Sequence, residues 1–64
     1  MKQGSVKFYR FDLSWGIIKG DDGVEYFFHG SNMAPDILYQ DQIVHFDAIK
    51  TTRGNAAVNV ILPE

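Results

Sequence analysis

Trp15, Ile17, Phe27 and His29 fall at alternate positions of two apolar runs, Trp15 to Ile18 and Val24 to His29, which flank the segment Lys19-Gly20-Asp21-Asp22-Gly23. Alternation along a strand puts these four side chains on one face and Gly16, Ile18, Tyr26 and Phe28 on the other. Both faces are rich in apolar or aromatic groups, and a chain of 64 residues can bury only one of them. Flat rings left in water beside a cation such as Lys7 suit noncovalent stacking on planar ligands, with charge neutralisation alongside. Bond-making chemistry finds less support. Ser31 lies close in sequence to His29, but no third orienting group or oxyanion-donor pattern accompanies them. His45 and Asp47 share a strand face, yet two potential ligands do not make a metal site. No phosphate-cradling glycine loop is present. We therefore expect no catalytic residue, no metal and no cofactor.

The elements that must position the rings follow from turn chemistry and period-2 patterning. Asp22-Gly23 between apolar runs is a hairpin signal, because glycine supplies the positive φ of a tight turn. Gly4 to Tyr9 is a strand candidate of high β-propensity. Simple alternation groups Val6 with Phe8 and Lys7 with Tyr9, although a bulge near the adjacent aromatics would shift it. Phe11 to Ser14 is a connecting bend. Between Gly30 and Gln40 the strand pattern breaks; Ser31 is placed to cap a helical turn, Pro35 limits its length, and Met33 and Leu38 plug the core. Asp41 to Lys50 alternates, with Val44, Phe46 and Ala48 on one side and Ile43, His45 and Asp47 on the other. Thr51 to Asn55 is a turn, and Ala56 to Leu62 is the last strand. This predicts an all-β fold of five short strands in one domain spanning residues 1–64. So small a sheet must curl into a closed or nearly closed antiparallel barrel to bury its apolar face. The expected interior is Val6, Ile18, Tyr26, Phe28, Met33, Val44, Phe46, Val58 and Val60, with Trp15, Ile17, Phe27 and His29 outside beside Lys7 and Phe8.

Composition narrows the setting. A hydrophobic share of 45% is that of a folded globule, and with no cysteine there is neither a disulfide nor a thiolate metal site. We expect a cytoplasmic protein: no N-terminal run reads as a signal peptide, and no stretch is long enough to span a bilayer. The net charge of −2 predicts weak nonspecific attraction to polyanions, although Lys7, Arg10 and Lys19 concentrate near the aromatic residues.

The residues resemble the bacterial cold-shock protein family. Gly4-Ser5-Val6-Lys7-Phe8-Tyr9 stands where that family has Gly-x-Val-Lys-Trp-Phe. Trp15-Gly16-Ile17-Ile18 stands for Phe-Gly-Phe-Ile, and Phe27-Phe28-His29 with Ser31 for the second motif, Val-Phe-Val-His-Phe-Ser. Asp21-Asp22-Gly23, Val44-His45-Phe46 and Gly54 through Asn59-Val60 match further landmarks in the same order. The resemblance implies a five-stranded OB-fold barrel that binds single-stranded RNA or DNA and serves as an RNA chaperone. Its candidate contact residues are Lys7, Phe8, Arg10, Trp15, Ile17, Phe27 and His29, with Ile17 acting as apolar filler. The departures reduce the platform: Leu13-Ser14 replaces Lys-Gly, Ile17 and Gly30 replace aromatics, and the loop from Asn32 to Gln40 is short.

Stacking on an exposed ring contributes about 1–3 kcal/mol per base; at about 1–2 kcal/mol each, two missing rings weaken binding roughly 10- to 1,000-fold relative to a fuller platform. Lys7 with Arg10 or Lys19 would neutralise about two phosphates, for a log–log salt slope near −1.4 on single strands. The alternative reading keeps the barrel but uses the patch of Trp15, Ile17 and Phe27 to contact a protein. We expect a monomer, with a dimer or strand swap as the alternative.

Overall fold

The turn after Gly20 sets the register from which the sheet follows. In the computed structural model, which describes residues 1–33 and 40–63, Gly23 sits at φ +83° and donates its N–H to the Gly20 carbonyl at 2.9 Å. A side chain is disfavoured in that left-handed conformation, and glycine is not. The turn joins β2 (Trp15–Gly20) to β3 (Glu25–His29). With β1 (Lys2–Arg10), β4 (Ile43–Thr51) and β5 (Gly54–Ile61) they form a closed barrel in the order β1-β2-β3-β5-β4. The expected all-β, five-stranded barrel is the observed architecture. Its seams are antiparallel except the closing one, where β3 meets β5 in parallel with Phe27 opposite Ala56. Pro35 and Leu38 lie outside the described residues.

Val6, Ile18, Tyr26, Phe28, Val44, Phe46, Ala57 and Val60 make the core, and Tyr9, Met33 and Leu62 pack at its margin. Burial alternates along β2 and β3 as the sequence pattern requires. Phe28 lies opposite Gly16, where an added Cβ would come within 2.9 Å of the Phe28 ring and collide with the Phe8 carbonyl. The bare backbone at Gly16 is what lets the ring lie across β2.

Two bulges break the simple alternation, the first where the sequence allowed for one. In β1 the register shifts between Val6 and Phe8, leaving Lys7 as the extra residue. Phe8 consequently turns outward to face Ile17, while Tyr9 turns inward and stacks on Phe28 at 5.7 Å and 15°. The simple grouping of Val6 with Phe8 is therefore reversed. In β5, Asn59 adopts φ +53°, and the pairing with β4 slips between His45 and Asp47. Ala57 and Val60 face inward as a result, and Val58, expected inside, is only partly buried. Ala48, which alternation sets on the side of Val44 and Phe46, is exposed: the β1–β4 register ends at Lys2 opposite Phe46, so β4 runs on past the strand that would cover it.

After β3 the chain makes one 3-10 turn, Gly30–Asn32, capped by His29 and not by Ser31. No helix among the described residues is long and apolar enough to cross a membrane.

Below the first hairpin, the Asp22 carboxylate collects three donors: the Val24 N–H at 3.0 Å, the Tyr26 hydroxyl at 2.8 Å and the Lys2 ammonium at 3.3 Å. The Val24 and Tyr26 hydrogen bonds, with Lys2 beside them, hold its carboxyl below the ordinary carboxylate range. The same hydrogen bond to Asp22, with burial, pushes the Tyr26 phenol up. Stability drawn from the depressed Asp22 is complete above its unfolded pKa and is lost as pH falls through the folded one. Stability drawn from the raised Tyr26 is complete below its unfolded pKa and is lost as pH rises through the folded one. Tyr26→Phe is thus expected to lower the melting temperature by a few degrees at neutral pH. The deficit should shrink in acid below the carboxylate range and again in strong alkali. Thermal melts across pH check it, and a deficit independent of pH would contradict the assignment.

Candidate nucleic-acid interface

The pairing register sorts the singled-out side chains into rows across β1, β2 and β3. One row runs Arg10, Trp15, His29, and the next runs Phe8, Ile17, Phe27. Cross-strand neighbours of this kind lie about 4.5–5.5 Å apart, close enough for the rings to share one surface. A third row pairs Lys19 with Glu25, and the bulged Lys7 reaches across β2 to the Glu25 carboxylate at 2.5 Å. Lys7, Arg10 and His29 are exposed; Phe8, Trp15, Ile17 and Phe27 are partly buried. The structure thus brings all seven expected residues onto one outer face. Phe8 meets Trp15 edge-on, with centroids 5.4 Å apart and planes at 75°, so Phe8 supports the indole without covering it in parallel. Ile17 sits between Phe8 and Phe27 as an apolar spacer.

Beside these rows lies an open groove of about 430 Å³, lined by Leu13, Trp15, Phe27, Phe28, His29 and Arg53. Leu13 and Arg53 were not among the sequence candidates. Arg53 lies in the turn expected from Thr51 to Asn55, and the parallel closure of β5 on β3 carries that β4–β5 turn to the end of the platform. Thr51 holds that turn: its hydroxyl accepts the Arg53 N–H at 3.1 Å and donates to the Gly54 carbonyl at 3.0 Å. No local sequence signal reports the closure, which depends on contacts distant in the chain.

The family described as the "Cold-shock" DNA-binding domain matches residues 2–63. The chain belongs to the cold-shock domain family. It is 39% identical to Cold shock protein 1 of Lactiplantibacillus plantarum, over 95% of this chain and 97% of that one. Cold shock protein 2 of the same organism is 38% identical over 94% and 96%, and Cold shock-like protein CspC of Bacillus cereus 36% over 92% and 95%. The function is accordingly of the nucleic-acid-binding, cold-shock type, in a family not known for enzymes.

In this cold-shock domain two cations of the face are already engaged. Lys7 pairs with Glu25, and Arg10 grips Asp12 through two contacts at 3.2 and 3.3 Å. The Lys7 hydrogen bond, then the Lys7 and Lys19 charges, hold the Glu25 carboxyl below its ordinary range. Among the described residues Arg53, at the groove, has no such carboxylate partner. His29 presents a defined edge. Its Nδ1 accepts the Ser31 N–H at 3.1 Å and lies 2.9 Å from the Ser31 hydroxyl. A backbone N–H can only donate, so these partners assign the neutral ring's proton to Nε2, leaving that edge as the donor.

Proposed function

We propose that this cold-shock domain binds single-stranded RNA or DNA by stacking unpaired bases on Phe8, Trp15, Phe27 and His29, and acts as an RNA chaperone that keeps strands from pairing. The observation that carries the reading is the alignment of these rings in adjacent cross-strand rows on the outer face, beside a groove that ends at Arg53. Every base has a π-face, so such a platform tolerates many sequences, whereas a duplex keeps its base faces stacked internally. Lys7 and Arg10 contact phosphate with the charge that Glu25 and Asp12 leave uncompensated, His29 offers its Nε2–H, and Ile17 fills the space between rings. The working unit in this reading is a cytoplasmic monomer, which suits a barrel whose strand order closes on itself.

Trp15 is the chain's one tryptophan and stands in the middle of its row, which makes the test direct. Its emission should be quenched on titration with oligo-dT or oligo-U, and less so as salt rises. An emission spectrum unchanged at high micromolar oligonucleotide would remove this reading. It would promote a second one, favoured by the exposed Leu13 beside Trp15 and by the internally paired cations: a barrel whose apolar patch docks a protein.

A further inference from the structure

We infer that Glu25 and Asp12 are specificity-determining residues, which favour unpaired bases by withholding Lys7 and Arg10 from phosphate; this inference rests on the single-strand reading above. Lys7 is committed to Glu25 at 2.5 Å and Arg10 to Asp12 at 3.2 Å. Lys19 lies opposite the same Glu25 in the β2–β3 register. A phosphate that takes the full charge of Lys7 or Arg10 displaces a carboxylate, and the displaced carboxylate then recruits a cation from solution. The usual gain from releasing the nucleic acid's counterions is largely cancelled by that uptake.

Stacking is untouched by this competition, because the rings of Phe8, Trp15 and Phe27 carry no charge. A ligand that offers unpaired bases keeps most of its affinity, while a duplex, which offers this face little beyond its phosphates, loses what would hold it. The two carboxylates therefore act as built-in competitors that make base exposure the dominant criterion for binding. They also reconcile a net charge of −2 with a nucleic-acid-binding face.

The test compares wild type, Glu25→Gln, Asp12→Asn and, as a control, Asp47→Asn. Asp47 bonds Asn59 on the β4–β5 side of the barrel, so its substitution changes net charge equally without freeing an interface cation. Trp15 emission is followed against oligo-dT and against a short DNA duplex between 50 and 200 mM salt, with circular dichroism confirming the fold. Arg53 alone would give a single-strand slope near −0.7, and Arg53 with uncommitted Lys7 and Arg10 one near −2.1, so the wild type should fall well short of the steeper value. Each interface variant should steepen the slope by about 0.7, which adds about 2.6-fold to the affinity lost over that salt range. The Asp12→Asn/Glu25→Gln pair should gain proportionally more on the duplex than on oligo-dT. If the interface variants move the slope no more than Asp47→Asn does, or if the duplex gains no more than the single strand, the inference falls while the single-strand reading stands. A wild type that oligo-dT fails to quench removes that reading first, and this inference with it.

Discussion

Replacing Phe28 with alanine is expected to destabilise the domain by about 3–5 kcal/mol, the usual cost of removing a large buried ring. Phe28 is 1% exposed, stacks on Tyr9 and lies across the bare backbone of Gly16. It also contributes to the floor of the groove. A domain of this length has roughly 3–10 kcal/mol of stability in total, so the loss is comparable with the whole. Each kcal/mol moves the melting temperature of so small a domain by about 4–8 °C, and a fall of about 12 °C or more should appear in a thermal melt. A Phe28→Ala protein that melts within a few degrees of wild type would show that the ring is not part of the core.

The neighbouring substitution should behave in the opposite way. Phe27 points to the other face, partly exposed between Ile17 and the groove, and the core does not depend on its ring. Phe27→Ala should leave the far-ultraviolet spectrum and the cooperativity of unfolding intact. Its affinity for oligo-dT should fall by about 1–3 kcal/mol, roughly 5- to 150-fold, in the Trp15 titration. If Phe27→Ala unfolds the protein, the facing is wrong; if it folds and binds as wild type does, the platform does not include this ring. The contrast between two consecutive phenylalanines separates structure from recognition in one experiment.

How far the sequence could be read depended on whether the deciding contacts were local. The β2–β3 hairpin was legible because its alternation is unbroken and its turn carries Gly23 where the backbone needs positive φ. From that hairpin alone Trp15, Ile17, Phe27 and His29 could be assigned to one face. The bulge at Lys7 was harder, since a single extra residue inverts every facing after it; only the adjacent pair Phe8-Tyr9 hinted at the slip. Asn59 was a similar hint, as asparagine adopts the left-handed conformation more readily than most residues, yet β-propensity favoured Val58 over Ala57 as the inward residue. The Lys7–Glu25 ion pair was out of reach for a different reason. Lys7 and Glu25 are 18 positions apart and meet only because β2 carries both of its neighbours on one surface. The position of Arg53 needed the closing seam, which is non-local by construction.

That seam has a consequence of its own. Among the described residues the barrel is fastened between β3 and β5 at Phe27 opposite Ala56, so the backbone that works the clasp belongs to the same residue whose ring lies outside. Occupancy of that ring and tightness of the clasp are therefore linked through the backbone of Phe27, with the bridge of Met33 to Val60 the next hold along β5. By thermodynamic reciprocity, a ligand that prefers the fastened form must stiffen the joint, and a stiffer joint must hold that ligand better.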